Sequence, residues 1–235
     1  MARSLTLLAM DAAGAACSVA LWAKGRIAAR RFAAMARGQS ERLVPMIGEV
    51  MAEWGGGFAG LDALAVTTGP GGFTGVRIGL ATARGLALAR RLPLIGVTSF
   101  EVAAAAATAA ERHGRLGLAV IDSKRSEVFI QLFDAGLAPL GPAREIALAA
   151  LDAALPRGPL VVTGDAAGRA VAALAAAGRA DAVAAAAAGP ADAALLAERA
   201  ALRDPAAAGL ATVQPVYLRA PDVTLPQPAR PARPR

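Results

Sequence analysis

Apolar and polar positions follow two rhythms along this chain, and the switches between them mark its elements. Leu5 to Asp11 is a short apolar run ending on a carboxylate. After a small-residue turn, Cys17 to Gly25 (CSVALWAKG) reads as a strand that stops at the hairpin signal Lys24-Gly25. GRIAARRFA reads as a third antiparallel strand. From Ser40 to Trp54 the apolar spacing lengthens to that of a helix, with Pro45 deeper than the first turn, which predicts a kink or a later start. LDALAVTT, 61 to 68, suits a buried strand, and a helix is expected over 75 to 90. PLIGVTSFE adds a strand and a helix capped by Ser99.

The second half restarts the pattern. LGLAVID, 116 to 122, passes through SKRS into EVFIQLFDAG, with a hairpin turn expected at Ala135-Gly136. A strand over 159 to 165 and alanine-rich helices to about 203 follow, then VQPVYLRAPD, which reads as extended. Strand, Asp, turn, strand and Gly thus occur twice in order, so the chain reads as two related halves. The fold class is α/β, with mixed sheets in two duplicated lobes, residues 1–110 and 111–223, and a Pro/Arg-rich tail at 224–235.

Composition narrows the picture. Hydrophobic residues make up 56% and charged ones 18% of 235 residues, the mark of a folded chain. The single cysteine, Cys17, allows no internal disulfide and fits a reducing, cytoplasmic setting. Asp11 interrupts the first apolar run, which favours a buried strand over a signal segment. No stretch reads as a membrane span, and Arg179 and Asp181 break the alanine-rich region. Of the net charge of +7, Arg230, Arg233 and Arg235 sit in the tail, leaving a mildly basic body.

The most unusual segment is the turn Gly69-Pro70-Gly71-Gly72-Phe73-Thr74 between the fourth strand and its helix. It lacks the Lys of a P-loop, and Thr74 stands where a dinucleotide fingerprint needs Gly. Beyond it Gly75, Gly79, Ala83 and Ala87 recur every four residues, a stripe with almost no side chain along which a partner helix could come close. Leu86 lies beside this stripe. On the helix near 40 to 54, Leu43, Ile47, Val50 and Trp54 share one side, and Val44, Met46 and Met51 widen the band beyond a single core-facing stripe. These residues predict a helix-mediated interface.

Candidate chemistry is sparse. Asp11 and Asp122 end equivalent strands, where carboxylates can hold Mg²⁺ near nucleotide phosphates or simply cap a turn. Gly164-Asp165 follows another strand before a small-residue turn, as in a nucleotide pocket. His113 is the only histidine, so a multi-histidine metal site is impossible, and Cys17 with His113 is the sole thiol–imidazole pairing open to the chain.

LLAMDAAGAACSVAL, QSERLVPMI, GPGGFTGVRIGLATARGLA, PLIGVTSFE, IDSKRSEVF and PVYLRAPDV together resemble the TsaB (YeaZ) family of bacterial proteins needed for threonylcarbamoyladenosine in transfer RNA. The resemblance implies an actin-like ATPase fold, shared with Hsp70 and sugar kinases. It implies a non-catalytic paralogue of TsaD that binds that catalytic subunit through the helices near 40–54 and 75–90, joined by the ATPase TsaE. Because an exposed apolar helix face seeks cover, pairing with a second copy is expected when TsaD is absent, and the complex leaves room for contact with transfer RNA. Where the catalytic sister carries metal-binding histidines on a helix, Gln39 and Leu43 stand here and cannot serve. No cofactor is expected, although Asp11 and Asp122 persist at phosphate-loop positions and leave room for ATP or ADP with Mg²⁺ at a degenerate site. The alternative is an independent ATPase or phosphotransferase with Asp11 on the metal and Asp122 in phosphate chemistry. A metallopeptidase is nearly eliminated by the lone histidine.

Overall fold

The computed structural model describes residues 5–219; the tail from 224 lies outside them. The first lobe contains β1 (Leu7–Asp11), β2 (Ala16–Ala23), β3 (Arg26–Ala34), α1 (Gln39–Trp54), β4 (Ala63–Thr67), α2 (Phe73–Arg90) and β5 (Leu94–Val97). Its sheet order is β3-β2-β1-β4-β5. The three hairpin-linked strands are antiparallel, while β4 and β5, each reached through a helix, run parallel to β1. Two-residue turns such as Lys24-Gly25, both at positive φ, suffice for the former. The latter need crossovers.

The second lobe repeats this wiring. After α3 (Ser99–Ala104) and α4 (Ala109–Arg112) come β6 (Leu116–Asp122), β7 (Glu127–Phe133), β8 (Arg144–Ala147), α5 (Leu151–Ala154), β9 (Leu160–Thr163), α6 (Ala167–Ala176), β10 (Ala182–Ala184) and α7 (Ala193–Ala201). The order β10-β9-β6-β7-β8, read from its other end, matches the first sheet strand for strand, with the same parallel and antiparallel pairs. The duplication read from two Asp-ended strands therefore extends to the whole topology.

Two helices cross the boundary expected near residue 110. Phe100, Ala103 and Ala104 of α3 pack with Ala119, Ile121, Phe129 and Phe133 of the second sheet. Ala193, Leu196, Ala197 and Ala200 of α7 pack with Leu7, Ala9, Ala20 and Ala65 of the first. Each lobe thus lends the helix after its last strand to the other, because a sheet buried on both faces needs a second layer of cover. The segment after α7 ties the lobes further. Val213 is buried in the first core, Val216 N–H donates to Thr68 O at 2.8 Å, and Arg219 pairs with Glu145 and Glu127 of the second sheet. Residues 213–219 of VQPVYLRAPD carry no strand, and the rest of that stretch lies outside the described residues.

Smaller differences have local causes. α1 starts at Gln39 and runs through Pro45. The cap of α3 is Thr98, whose hydroxyl accepts from Glu101 N–H at 3.2 Å while the Glu101 carboxylate accepts from Thr98 N–H at 2.9 Å. This capping box starts one residue before Ser99. β8 and β10 are too short to announce themselves by alternation.

Candidate functional site

The glycine turn approaches its own lobe. A Cβ on Gly71 would overlap the Ala13 carbonyl oxygen, and one on Gly75 the Ala12 carbonyl oxygen, while Gly72 N–H donates to Ala13 O at 2.7 Å. Bare backbone is what lets α2 begin against the β1–β2 turn. The Gly69-Pro70 peptide is cis, and Gly69 O accepts from Ser99 N–H at 2.8 Å. Phe73 and Thr74 open the helix as exposed residues.

The stripe expected to receive a partner helix faces inward, which corrects that expectation. Gly79, Ala83 and Ala87 are buried, and a Cβ on Gly79 would sit 3.6 Å from Val66 Cγ2, in ordinary contact with β4. On α1, Leu43, Met46, Ile47 and Val50 are buried in the same core, against which Trp54 and Leu86 are partly buried. The physical reason is the first sheet. Leu8, Met10, Val19, Leu21, Leu64 and Val66 need cover on this face, and the broad apolar bands of α1 and α2 supply it. Of the twelve residues from which the interface was read, only Val44 lies on an exposed apolar face.

The opposite faces of the same helices are open. On α1 they carry Val44, 60% exposed, with Pro45, Gly48 and Ala52; on α2 they carry Ala81, Gly85, Ala89 and Leu88, 72% exposed. Gly48 and Gly85 have no atom within 4 Å of a would-be Cβ. Glycine and alanine thus line both sides of α2, and sequence spacing alone found only the buried side. The signal for the other was Val44 and Leu88, large apolar residues at the wrong phase for the core.

The strand-end carboxylates gather between the lobes, but each is engaged differently. Asp11 is wholly buried, and neither oxygen has a hydrogen-bond partner of normal geometry among the described residues. Burial pushes its carboxyl up to about 7, although Thr67 and the Ala13 N–H pull it back; the Asp165 and Asp192 charges add to the rise. Asp165 is also raised, by burial first, and its Oδ1 accepts from Asp122 N–H at 2.8 Å. Asp122 itself is held by Lys124 at 3.1 Å and Arg169 at 3.1 Å; despite partial burial, the Lys124 N–H and charge set its carboxyl below the usual range. Gly164, at positive φ, packs against the Val120 carbonyl.

A nucleotide with Mg²⁺ fits this arrangement poorly. Ala12 and Ala13, whose turn would have to face phosphates, lie buried under Gly71, Gly72 and Gly75, and Asp122 already has two cationic partners. Among the described residues no group of three or more His, Cys, Asp and Glu is placed to hold a metal ion. Cys17 is buried, its thiol pushed up to about 11 by burial, whereas His113 is exposed beyond α4; the two do not meet. Gln39 donates to the Gly14 and Met35 carbonyls at 3.4 and 3.3 Å, which makes it a loop tie. No described helix is long and apolar enough to cross a membrane.

Known proteins carry the same architecture. The family model "TsaD: tRNA N6-adenosine threonylcarbamoyltransferase" matches residues 33–221. The tRNA threonylcarbamoyladenosine biosynthesis protein TsaB of Escherichia coli is 41% identical over 125 residues, 53% of each chain. The Haemophilus influenzae protein of the same name is 40% identical over 127 residues, 54% of this chain and 53% of that one. The chain spans about half the length of these curated relatives. The solved structure of YeaZ from Pseudomonas aeruginosa superposes with a TM-score of 0.76 at 27% identity, covering 91% of this chain and 100% of the other. Component A of Acidaminococcus fermentans (R)-2-hydroxyglutaryl-CoA dehydratase reaches 0.50 at 13% identity, covering 85% and 100%, which extends the likeness to fold alone. On the family match, the doubled sheet topology and the YeaZ-like structure, the chain belongs to the TsaD family and, within it, to TsaB (YeaZ).

Proposed function

We propose that this protein is a non-catalytic subunit of threonylcarbamoyladenosine synthesis on transfer RNA, supporting a TsaD-like catalytic subunit through the outer faces of α1 and α2. The observation that carries the docking reading is the exposure of Val44, Gly48 and Ala52 on α1 and of Ala81, Gly85 and Leu88 on α2, small or apolar residues on two helices of the same core. Such a surface lets partner helices approach closely, and burying it removes apolar area from water. The named relatives supply the pathway, since both curated TsaB proteins act in that biosynthesis. A TsaE-like ATPase and transfer RNA then meet this chain within the complex in the cytoplasm, and a second copy covers the same face when the catalytic subunit is absent.

Non-catalytic status is supported by the site chemistry: the thiol is buried away from the lone imidazole, and the strand-end carboxylates are spent on neighbours or on burial. A nucleotide-hydrolysing reading draws its one support from Asp11, the buried carboxylate without a partner. Titration of the isolated chain with ATP and Mg²⁺ separates the two. Turnover abolished by Asp11→Ala would establish the enzyme.

The docking test is Gly85→Arg, which places a long charged side chain on the open face with nothing nearby to clash. Co-expression with the TsaD-like subunit should give a complex with the native chain and none with the folded variant. Full recovery of the complex with that variant would sink the interface.

A further inference from the structure

We infer that a pocket walled by Phe73 and Tyr217 between the lobes binds a nucleotide unit of single-stranded RNA. This rests on the RNA-modification reading above for the class of ligand, and on the pocket itself for the site. Its volume is about 370 Å³, within the range that holds one nucleotide. It is bounded by the start of α2, the turn between β6 and β7, and the segment that ends the described chain. Its charged lining residues are Lys124, Arg125 and Arg219, with no carboxylate among them.

Two aromatic rings stand at this site with much of their surface in water, Phe73 at 45% and Tyr217 at 43% exposure. Their centroids are 5.7 Å apart and the planes are inclined by 33°. Arg77, outside the pocket lining, holds both: its guanidinium lies 3.5 Å from the Phe73 ring centroid and its Nε donates to Tyr217 Oη at 3.0 Å. The platform is therefore fixed in advance, and Tyr217 is further anchored by the Val216 bond to Thr68. Exposed rings braced by arginine beside lysine and arginine are the means by which single strands are bound, since every base has a face to stack and every phosphate a charge to neutralise.

The cations divide their work. Arg219 is tied to Glu127 and Glu145 and fixes the segment that carries Tyr217. Lys124 pairs with Asp122 across an exposed contact, weak enough in water to be exchanged for a phosphate. The start of α2, with no side-chain cap and no acid in its first turn, adds a favourable dipole at the same wall. An acidic peptide would satisfy the charges and leave the rings unused. The pocket is not enclosed, and the Lys124-Arg125 turn on its wall is exposed, which suits one unit of a longer strand better than a small molecule sealed from water.

The test uses the full chain and a fluorescein-labelled oligouridylate of about ten nucleotides, followed by anisotropy across a salt series. Phe73→Ala and Tyr217→Ala should each weaken binding by about fivefold to a hundredfold, the effect of removing one stacking ring. Tyr217→Phe, which keeps the ring and loses only the Arg77 bond, should lose much less affinity than Tyr217→Ala. Lys124→Ala should weaken binding and flatten the salt dependence by about one phosphate contact. Melting curves and recovery of the complex with the TsaD-like subunit should be unchanged in the ring variants. Unaltered affinity in both ring variants, as cations elsewhere would produce, overturns the site. Saturable binding of uridine monophosphate without any binding of the oligomer assigns the pocket to a free nucleotide and overturns the RNA assignment. Loss of docking by Gly85→Arg is a separate readout, so failure of the complex and failure of the RNA site are distinguishable.

Discussion

The two faces of α2 are built from the same small residues and do opposite things. Inward, Gly75, Gly79, Ala83 and Ala87 let the helix lie on the β1–β2 turn and on β4, with the Ala12 carbonyl oxygen filling the space a Gly75 side chain would need. Outward, Ala81, Gly85 and Ala89 are open to solvent, and Gly85 has nothing within 4 Å of a would-be Cβ. The comparison teaches that a run of small residues reports close approach without saying what approaches. Glycine inside a helix costs about 1 kcal/mol relative to alanine. At Gly75 the contact beneath explains that cost; at Gly85 nothing among the described residues does.

A second pair sharpens the point. Asp11 and Asp122 end equivalent strands of the duplicated sheets, yet one is wholly buried without a hydrogen-bond partner of normal geometry among the described residues, and the other is held by Lys124 and Arg169 near the surface. The duplicated backbone fixes their place. The packing around each fixes its charge.

The largest effect that would break the comparison is at the inner face. Gly75→Leu should cost about 3 kcal/mol or more, because backbone must move to admit the side chain; chemical denaturation reads it, and a stable variant would refute the close approach. Next comes Asp11. Its carboxyl titrates near 3.8 when unfolded and near 7 when folded, so the unfolded state gives up its proton first. The group therefore subtracts stability progressively as pH rises from about 4 to 7, and its cost is constant above that. Asp11→Asn should gain on the order of a few kcal/mol over the native chain at pH 8 and little at pH 4. Equal differences at both pH values would mean that Asp11 is not the titrating group.

Smaller effects sharpen the contrast further. Gly85→Ala should raise stability by about 0.5 to 1 kcal/mol, as expected for an exposed helical glycine with free space. Gly79→Ala, whose methyl would make ordinary contact with Val66, should fall near zero, with helix propensity offsetting any tightening. Asp122→Asn should lower stability only slightly. Its exposed pairs contribute under about 1 kcal/mol, present at neutral pH and lost as pH falls through the lowered carboxyl value. Thermal melts across pH measure all three.

Much of the fold was legible because strand and helix periods are local properties. Lys24-Gly25 marked its turn, the two Asp-ended strands marked the duplication, and GPGGFTG marked the family. The stripe of α2 was read as outward-facing because helical spacing defines stripes without orienting them. Val44 and Leu88 were the out-of-phase residues that could have redirected the reading.

By itself the sequence determined which segments become strands and helices, that the halves repeat, and to which family they belong, since these follow from residue order and local backbone preference. Only the tertiary structure decided which side of α2 is buried, which helices cross between lobes, and that Phe73, Arg77 and Tyr217 meet across 140 residues of chain between Arg77 and Tyr217. Those outcomes depend on where the sheets demand cover, a property of the assembled layers that no single segment contains.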